Sequence, residues 1–543
     1  MVIQIDNRLK TCELTLPLGK IKGIKRTTIY EDDYFSFEKL PYAKPPIGEL
    51  RFKSPQPAGP WTGTLDCTQF DLKPVQKGLQ TKVIEGVEDC LYLNVYSKKL
   101  KSDNPLPVMV YIYGGAFSVG AATRETYSPD YFMTKDVVLV TFNYRVDCLG
   151  FLSLKDPSLN VPGNAGLKDQ VLALRWVKQY ISHFNGDQNN ITVFGNSVGG
   201  CCTHYMMCTE QTRGLFHKAI LMSGTFHNLW AITPPADFAY RLAKHHGYKG
   251  ENNDAKILKY LQGVPPLQLV NYNLLTLEDH KNGLINAFGP TVEPFVTEDC
   301  FMPKVPVEMA REAWSNEIPA MLGGTSFEGL FLYPGVVANS TLDFLPKDLL
   351  SVVPYEVRVK NTKEKNSEYS KMLIELYFGK ATPNSELMLN FLDYQSYKVF
   401  WHGTNRTLHS RLTYARAATY FYRFDFDSPD FNFYRKKFCG NDITKGVAHA
   451  DDLSYLFRNC NSFKLDKSSP EYRTIQRMIG IWTSFAATSN PNCQEISEVN
   501  WQPSTKEQAH LVLNISNDVK IIDLPEHKKL KIWNSMYKPE SLF

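Results

Sequence analysis

The stretch NITVFGNSVGGCCTHYMM (190–207) decides how the rest of the chain is read. NITVFG is a short apolar run with β-branched residues, as expected of a strand buried on both faces. Gly195-Asn196-Ser197-Val198-Gly199 follows at once, and a helix is expected from near Ser197 through THYMM. A serine caught between strand and helix is held in a strained turn that exposes its hydroxyl. Glycines two residues to either side leave room for the close approach of strand and helix. As a bare pattern G-x-S-x-G is weak; the strand before it and the helix after it give it weight.

The flanking sequence repeats the same alternation of periods. PVMVYIYGG (107–115) and VVLVTFNYR (137–145) read as buried strands. AGLKDQVLALRWVKQYISHFNG then sets Leu167, Val171, Leu174, Val177 and Ile181 three or four residues apart, one stripe of a helix that stops near Gly186. KAILMSG (218–224), IPAMLGG (318–324) and ATYFYRFDF (418–426) read as further strands. Strands alternating with helices predict an α/β fold with a mostly parallel sheet covered on both faces. The segments 225–315 and 325–410 mix helical pattern with Pro and Asn breaks and are expected as insertions over the carboxyl edge of the sheet.

Composition narrows the function. The 543 residues are 43% hydrophobic and 21% charged, enough to bury a large core, and the formal charge of +4 is too small a bias for a nucleic-acid partner. The motifs argue for one domain spanning 1–543. Eleven cysteines without a C-x-x-C pair imply neither a metal site nor a dense disulfide scaffold. Cys67 and Cys90 flank a polar loop that a disulfide could close. The N-terminal MVIQIDNRLKTCELTLPLG lacks the apolar stretch of a signal peptide, and no run has the length of a membrane span, so a cytoplasmic chain without a membrane segment is expected. Asn190, Asn339, Asn405 and Asn514 begin N-x-[ST] sequons that matter only in the secretory pathway.

A serine hydroxyl attacks only when a base takes its proton and fixed donors receive the oxyanion. Tyr113-Gly114-Gly115-Ala116-Phe117 directly follows a strand. In hydrolases built around such an elbow, N–H groups of that loop act with the N–H after the nucleophile. This nominates Gly115, Ala116 and Val198. The triad order serine, acid, histidine leaves His402, His409, His449, His510 and His527 as bases. His402 and His409 fall in an amphipathic helical pattern, and His510 and His527 flank polar C-terminal segments. His449 enters the apolar DLSYLF from a loop. Glu328 ends a small-residue turn after IPAMLGG, at the carboxyl edge of the sheet.

Taken together these stretches resemble the type B carboxylesterases and cholinesterases of the α/β-hydrolase fold, most like the insect intracellular alpha-esterases. The matching segments are SFEKLPYAKPPIGELRFKSP (36–55), EDCLYLNVY (88–96), YIYGGAF (111–117), VPGNAGLKDQVLALRWV through GNSVGG (161–200), GGTSFEG (323–329) and GVAHADDLSYLF (446–457). The resemblance implies a catalytic triad of Ser197, Glu328 and His449, no cofactor, a small-molecule ester as substrate, and a monomer or weak homodimer. It also implies that organophosphates modify Ser197, a route to detoxification.

The chain departs from the family pattern in three places. Asn196 and Val198 stand in an elbow that is usually G-E-S-A-G, and Ala116 replaces the third glycine of the glycine run. Losing the acid at 196 disfavours cationic substrates, and the added bulk narrows the oxyanion hole. The segment 71–90 contains no aromatic residue, so the aromatic cage for a quaternary ammonium is missing and choline esters are disfavoured. The expected activity is hydrolysis of neutral, moderately sized carboxylic esters. A weakly active or inactive cholinesterase-like binding protein is the alternative from another class, and a lipase for insoluble glycerides is a third reading that no sequence feature favours.

Overall fold

A computed structural model describes residues 4–6, 10–345, 348–381 and 384–543. Its centre is a sheet in which Val138–Phe142, Leu106–Ile112, Gly186–Asn196, Lys218–Met222, Ala320–Thr325, Thr419–Phe424 and Leu511–Ile515 lie side by side and parallel. Successive residues of a strand point to opposite faces. Every residue of the strands at 138–142, 218–222, 320–325 and 419–424 is buried, so both faces are covered there. The helices Ala165–Tyr180, Val198–Cys208 and Pro470–Thr488 pack against this sheet. The fold is that of an α/β-hydrolase.

The predicted strands and the helix at 165–180 are present, with the elbow strand extended back to Gly186. The sheet also runs further than the sequence reading. Thr11–Leu16, Gly19–Thr27, Asp33–Pro41 and Tyr92–Ser97 add an antiparallel wing on one side, and Val519–Asp523 closes the other. The wing was readable in part: Cys12, Leu14 and Leu16 are buried at alternate positions, the period-two signature of a half-buried strand. Its lysines and glycines hid that pattern.

Register across the sheet places the site. Asn196 pairs with Met222, and Met222 pairs with Gly323. Ser197, Ser223 and the turn leading to Glu328 therefore leave three adjacent strands at the same edge, where ligands bind in open parallel sheets.

Candidate active site

Ser197 sits at φ 59°, ψ −127° between its strand and helix, backbone space that side-chain-bearing residues occupy only under strain. The flanking glycines make this turn feasible. A Cβ on Gly199 would lie 1.9 Å from Ile112 O, and one on Gly195 2.4 Å from Gly199 O. The turn is anchored by Ser197 N–H donating to Met222 O at 2.8 Å, while Cys201 N–H donates to Ser197 O at 3.0 Å. Ser197 is half-buried.

Glu328 is buried in the turn after Ala320–Thr325, and both of its oxygens are engaged. Its Oε1 accepts from Ser223 Oγ at 2.6 Å and from Thr325 N–H at 2.7 Å, and its Oε2 lies 2.6 Å from His449 Nδ1. A carboxylate only accepts, so the Nδ1 carries the proton and Nε2 is left as the free acceptor. The two turns are stitched together by Phe327 N–H donating to Val447 O at 3.0 Å. The histidine loop is held from beneath by Asp451, which accepts from Ala448 N–H at 2.7 Å, Tyr434 N–H at 2.9 Å and Arg435 N–H at 3.0 Å.

The structure thus joins acid to imidazole and brings both to the edge that carries the serine, through Met222 and Ser223. The step from hydroxyl to imidazole stays open: among the described residues the Ser197 hydroxyl donates no hydrogen bond to His449, whose Nδ1 is committed to Glu328. A second link runs from the elbow to the histidine loop. Asn196 Nδ2 donates to Asp452 Oδ1 at 3.5 Å. Burial, then the charges of Glu328 and Asp451, push the Asp452 carboxyl well above its ordinary range. With those carboxyls already there, a neutral amide at 196 adds no further negative charge.

The glycine loop lies directly against the serine, since a Cβ on Gly114 would meet Ser197 Cβ at 2.9 Å and Asn196 O at 2.6 Å. Gly115, Ala116 and Phe117 have φ of 136°, 54° and 58°. Successive N–H groups in such a run form a concave anion cradle. The N–H of Val198 opens the helix after the serine, where helical N–H groups have no partner within the helix. The other four candidates lie elsewhere: His402 pairs with Asn534, His510 is 3.6 Å from Asp523 and its ring centroid lies 5.7 Å from that of His527, and His409 is stacked on Phe543.

With this geometry established, comparison with known proteins decides the family, because the carboxylesterase family profile matches residues 10–533. The chain belongs to the carboxylesterase family. It is 38% identical to esterase B1 of Culex pipiens over 541 residues, covering 98% of this chain and all of that one. It is 32% identical to juvenile hormone esterase of Tribolium castaneum, covering 86% of this chain and 82% of the relative. The crystal structure of juvenile hormone esterase from Manduca sexta, with OTFP covalently attached, superposes with a TM-score of 0.85 at 28% identity, covering 97% of this chain and 99% of that one. The carboxylesterase is accordingly a carboxylic ester hydrolase.

Several residues around the carboxylesterase site escaped the sequence reading. A chain of aromatic rings runs from the imidazole to the glycine loop: His449 stacks on Phe400 with centroids 4.2 Å apart, Phe400 lies 6.3 Å from Trp230, and Trp230 lies 6.4 Å from Phe117. Phe331 adds a second ring 5.3 Å from His449. Phe400 is presented by a wide π-type turn, Tyr397–Trp401, a feature frequent at functional sites. Above the glycine loop a cavity of about 210 Å³ is lined by Lys77, Ser118, Asp147, Tyr272, Asn286 and Phe288, among others.

The disulfide between Cys67 and Cys90 is not formed in the carboxylesterase. Both are free, buried thiols, and burial pushes each well above its ordinary range. The loop they flank is closed instead by backbone bonds, Val87 N–H to Lys73 O at 2.9 Å and Gly78 N–H to Val83 O at 2.8 Å, and by the Arg51–Glu88 ion pair at 2.6 Å. Among the described residues no cluster of three or more His, Cys, Asp or Glu is arranged to hold a metal ion, and no helix is long and apolar enough to cross a membrane.

Proposed function

We propose that this chain is a serine carboxylesterase that turns over neutral, hydrophobic carboxylic esters through an acyl-enzyme. The observation that carries the reading is the buried Glu328–His449 contact at 2.6 Å, delivered to the sheet edge that bears the strained Ser197. As Ser197 Oγ attacks the ester carbonyl, His449 Nε2 takes its proton, and the oxygen that gains charge rests on the N–H groups of Gly115, Ala116 and Val198. Collapse breaks the ester C–O bond, and the departing alcohol takes the proton from the imidazolium. Water then repeats the sequence on the acyl-enzyme and releases the acid. Glu328 holds one tautomer of His449 and stabilises the imidazolium.

The uncharged aromatic wall of Trp230, Phe331 and Phe400 favours an apolar substrate, as does the neutral Asn196 beside the nucleophile. The relatives named juvenile hormone esterase, one of them with OTFP covalently attached, are in keeping with a nucleophile that forms covalent adducts. The same nucleophile accounts for a second role, stoichiometric capture of organophosphates, detectable as a mass increment on the intact protein that Ser197→Ala abolishes. The test is a panel of acyl esters of graded length beside choline esters. Neutral apolar esters are expected to give the highest kcat/KM, and Ser197→Ala is expected to abolish hydrolysis. Undiminished turnover by that variant would overturn the reading.

A further inference from the structure

Ala116 is the one oxyanion-loop position where the chain carries a methyl group in place of the family's glycine, and it occupies the left-handed region at φ 54°. A Cβ there crowds the following carbonyl, so an alanine does not hold this conformation unaided. The two peptides flanking its Cα are both tied down. The carbonyl of Gly115, which fixes the plane containing the Ala116 N–H, accepts from Ser118 N–H at 3.0 Å and Val119 N–H at 2.9 Å. The carbonyl of Ala116, which fixes the next plane, accepts from Ser118 Oγ at 3.1 Å and Asn286 Nδ2 at 3.3 Å. One residue further on, Phe117 O accepts from Asp147 N–H at 2.7 Å.

Among these donors Asn286 differs in kind. Ser118 and Val119 belong to the turn itself, and Asp147 acts through its backbone. Asn286 reaches in by its side chain from an insertion 170 residues away, and it lines the cavity above the loop.

We propose that Asn286 is a positioning residue of the oxyanion hole: by gripping the Ala116 carbonyl it holds a side-chain-bearing residue in a glycine-like conformation and, with the Gly115 carbonyl fixed on the other side, keeps the loop from relaxing away from the geometry in which the Ala116 N–H meets the reacting oxygen. The inference rests on the serine-esterase reading above. It also accounts for how the chain tolerates alanine at this position. The Ala116 N–H serves the oxygen that gains charge, so loss of the grip that steadies this residue falls on kcat more than on KM.

The experiment measures kcat and KM with a short chromogenic ester for Asn286→Ala, Ala116→Gly and the double variant, with thermal melting to verify folding and Ser197→Ala in the same assay. Asn286→Ala is expected to lower kcat about tenfold, short of the ~10²–10³ for an oxyanion donor removed outright, with KM within about twofold. In the Ala116→Gly background the same substitution is expected to cost less than about twofold, because glycine holds a positive φ without support. Full kcat in Asn286→Ala, an effect confined to KM, or an undiminished loss in the double variant would each overturn the positioning role while leaving the serine mechanism standing. Wild-type turnover by Ser197→Ala would instead overturn the mechanism and this inference with it.

Discussion

The two halves of the site differ in how many of their hydrogen-bonding groups are already engaged. On the acid–base side, Glu328 is buried and spends its oxygens on Ser223, Thr325 and His449, and the loop carrying His449 is fixed by Asp451. On the nucleophile side the groups are held in place but not yet spent: positive φ occurs at Ser197, Ala116 and Phe117, as it also does at Ser223 and Ala450 beside the acid and the imidazole, and among the described residues the Ser197 hydroxyl makes no hydrogen bond to the imidazole. Positive-φ residues of this sort cost roughly 1–3 kcal/mol each. The difference follows from what each half must do. A carboxylate that orients and stabilises an imidazolium works best with its geometry settled beforehand. Donors meant for a developing oxyanion must stay unspent until the substrate arrives.

Substitutions can break this contrast in graded steps. Removing the nucleophile is the largest: Ser197→Ala is expected to reduce kcat by about 10⁴-fold or more, measured as initial rate on a short ester. Glu328→Gln keeps the shape of the settled half but removes the charge that fixes the tautomer, and a loss of about 10³–10⁴ in kcat at nearly constant KM is expected. Gly114→Ala tests the open half. Its new Cβ would meet Asn196 O at 2.6 Å, driving the glycine loop off the elbow, and a loss of about 10²–10³ is expected, the scale of one oxyanion donor. Ser223→Ala removes one of the bonds at Glu328 Oε1 and leaves the Thr325 N–H in place. A drop of about tenfold sharpens the view that the acid is held redundantly; a drop as large as that of Glu328→Gln would refute it.

The smallest expected effect reads stability rather than rate. Asp147 supports the glycine loop through its backbone, and burial raises its carboxyl from 3.8 to about 6, against hydrogen bonds from Tyr272 and the Cys148 N–H that favour the charged form. The folded state therefore keeps this proton up to about pH 6, while the unfolded chain loses it near pH 4. Stability from this group is greatest below the unfolded value, falls as pH rises through the window between the two, and stays lower above it. Asp147→Asn, an amide tolerant of the positive φ of 56° at this position, is expected to stabilise the protein by about 1–3 kcal/mol near pH 8 and to change little near pH 4. Denaturant melts at the two pH values check this, and equal effects at both would place the buried charge elsewhere.

Some of the site was legible because its signals are local. Ser197 is announced by an apolar strand, a glycine-flanked serine and a helix within eighteen residues of sequence. Gly115 and Ala116 lie just beyond one buried strand, and Glu328 lies in the turn just beyond another. The proposed base was legible only in part: residue patterns left five histidines open, and the family resemblance singled out His449. The antiparallel wing was missed because lysines interrupt its alternation. The aromatic wall was missed because Trp230, Phe331 and Phe400 come from separate parts of the insertions, and no local pattern marks which aromatic residues of those segments meet His449.

By itself the chain determined the parallel sheet, the elbow and the serine proposed as nucleophile, since strand and helix periodicities and the demands of a tight turn are properties of covalent neighbours. Tertiary structure alone decided that Ser223 braces Glu328 across 105 residues, that Glu328 meets His449 across 121, that Asn196 meets Asp452 across 256, and that Asn286 grips Ala116 across 170. Those partners are chosen by strand register and by which loops cover the same sheet edge, and hydrogen bonds between such distant residues leave no periodic trace in the sequences that make them.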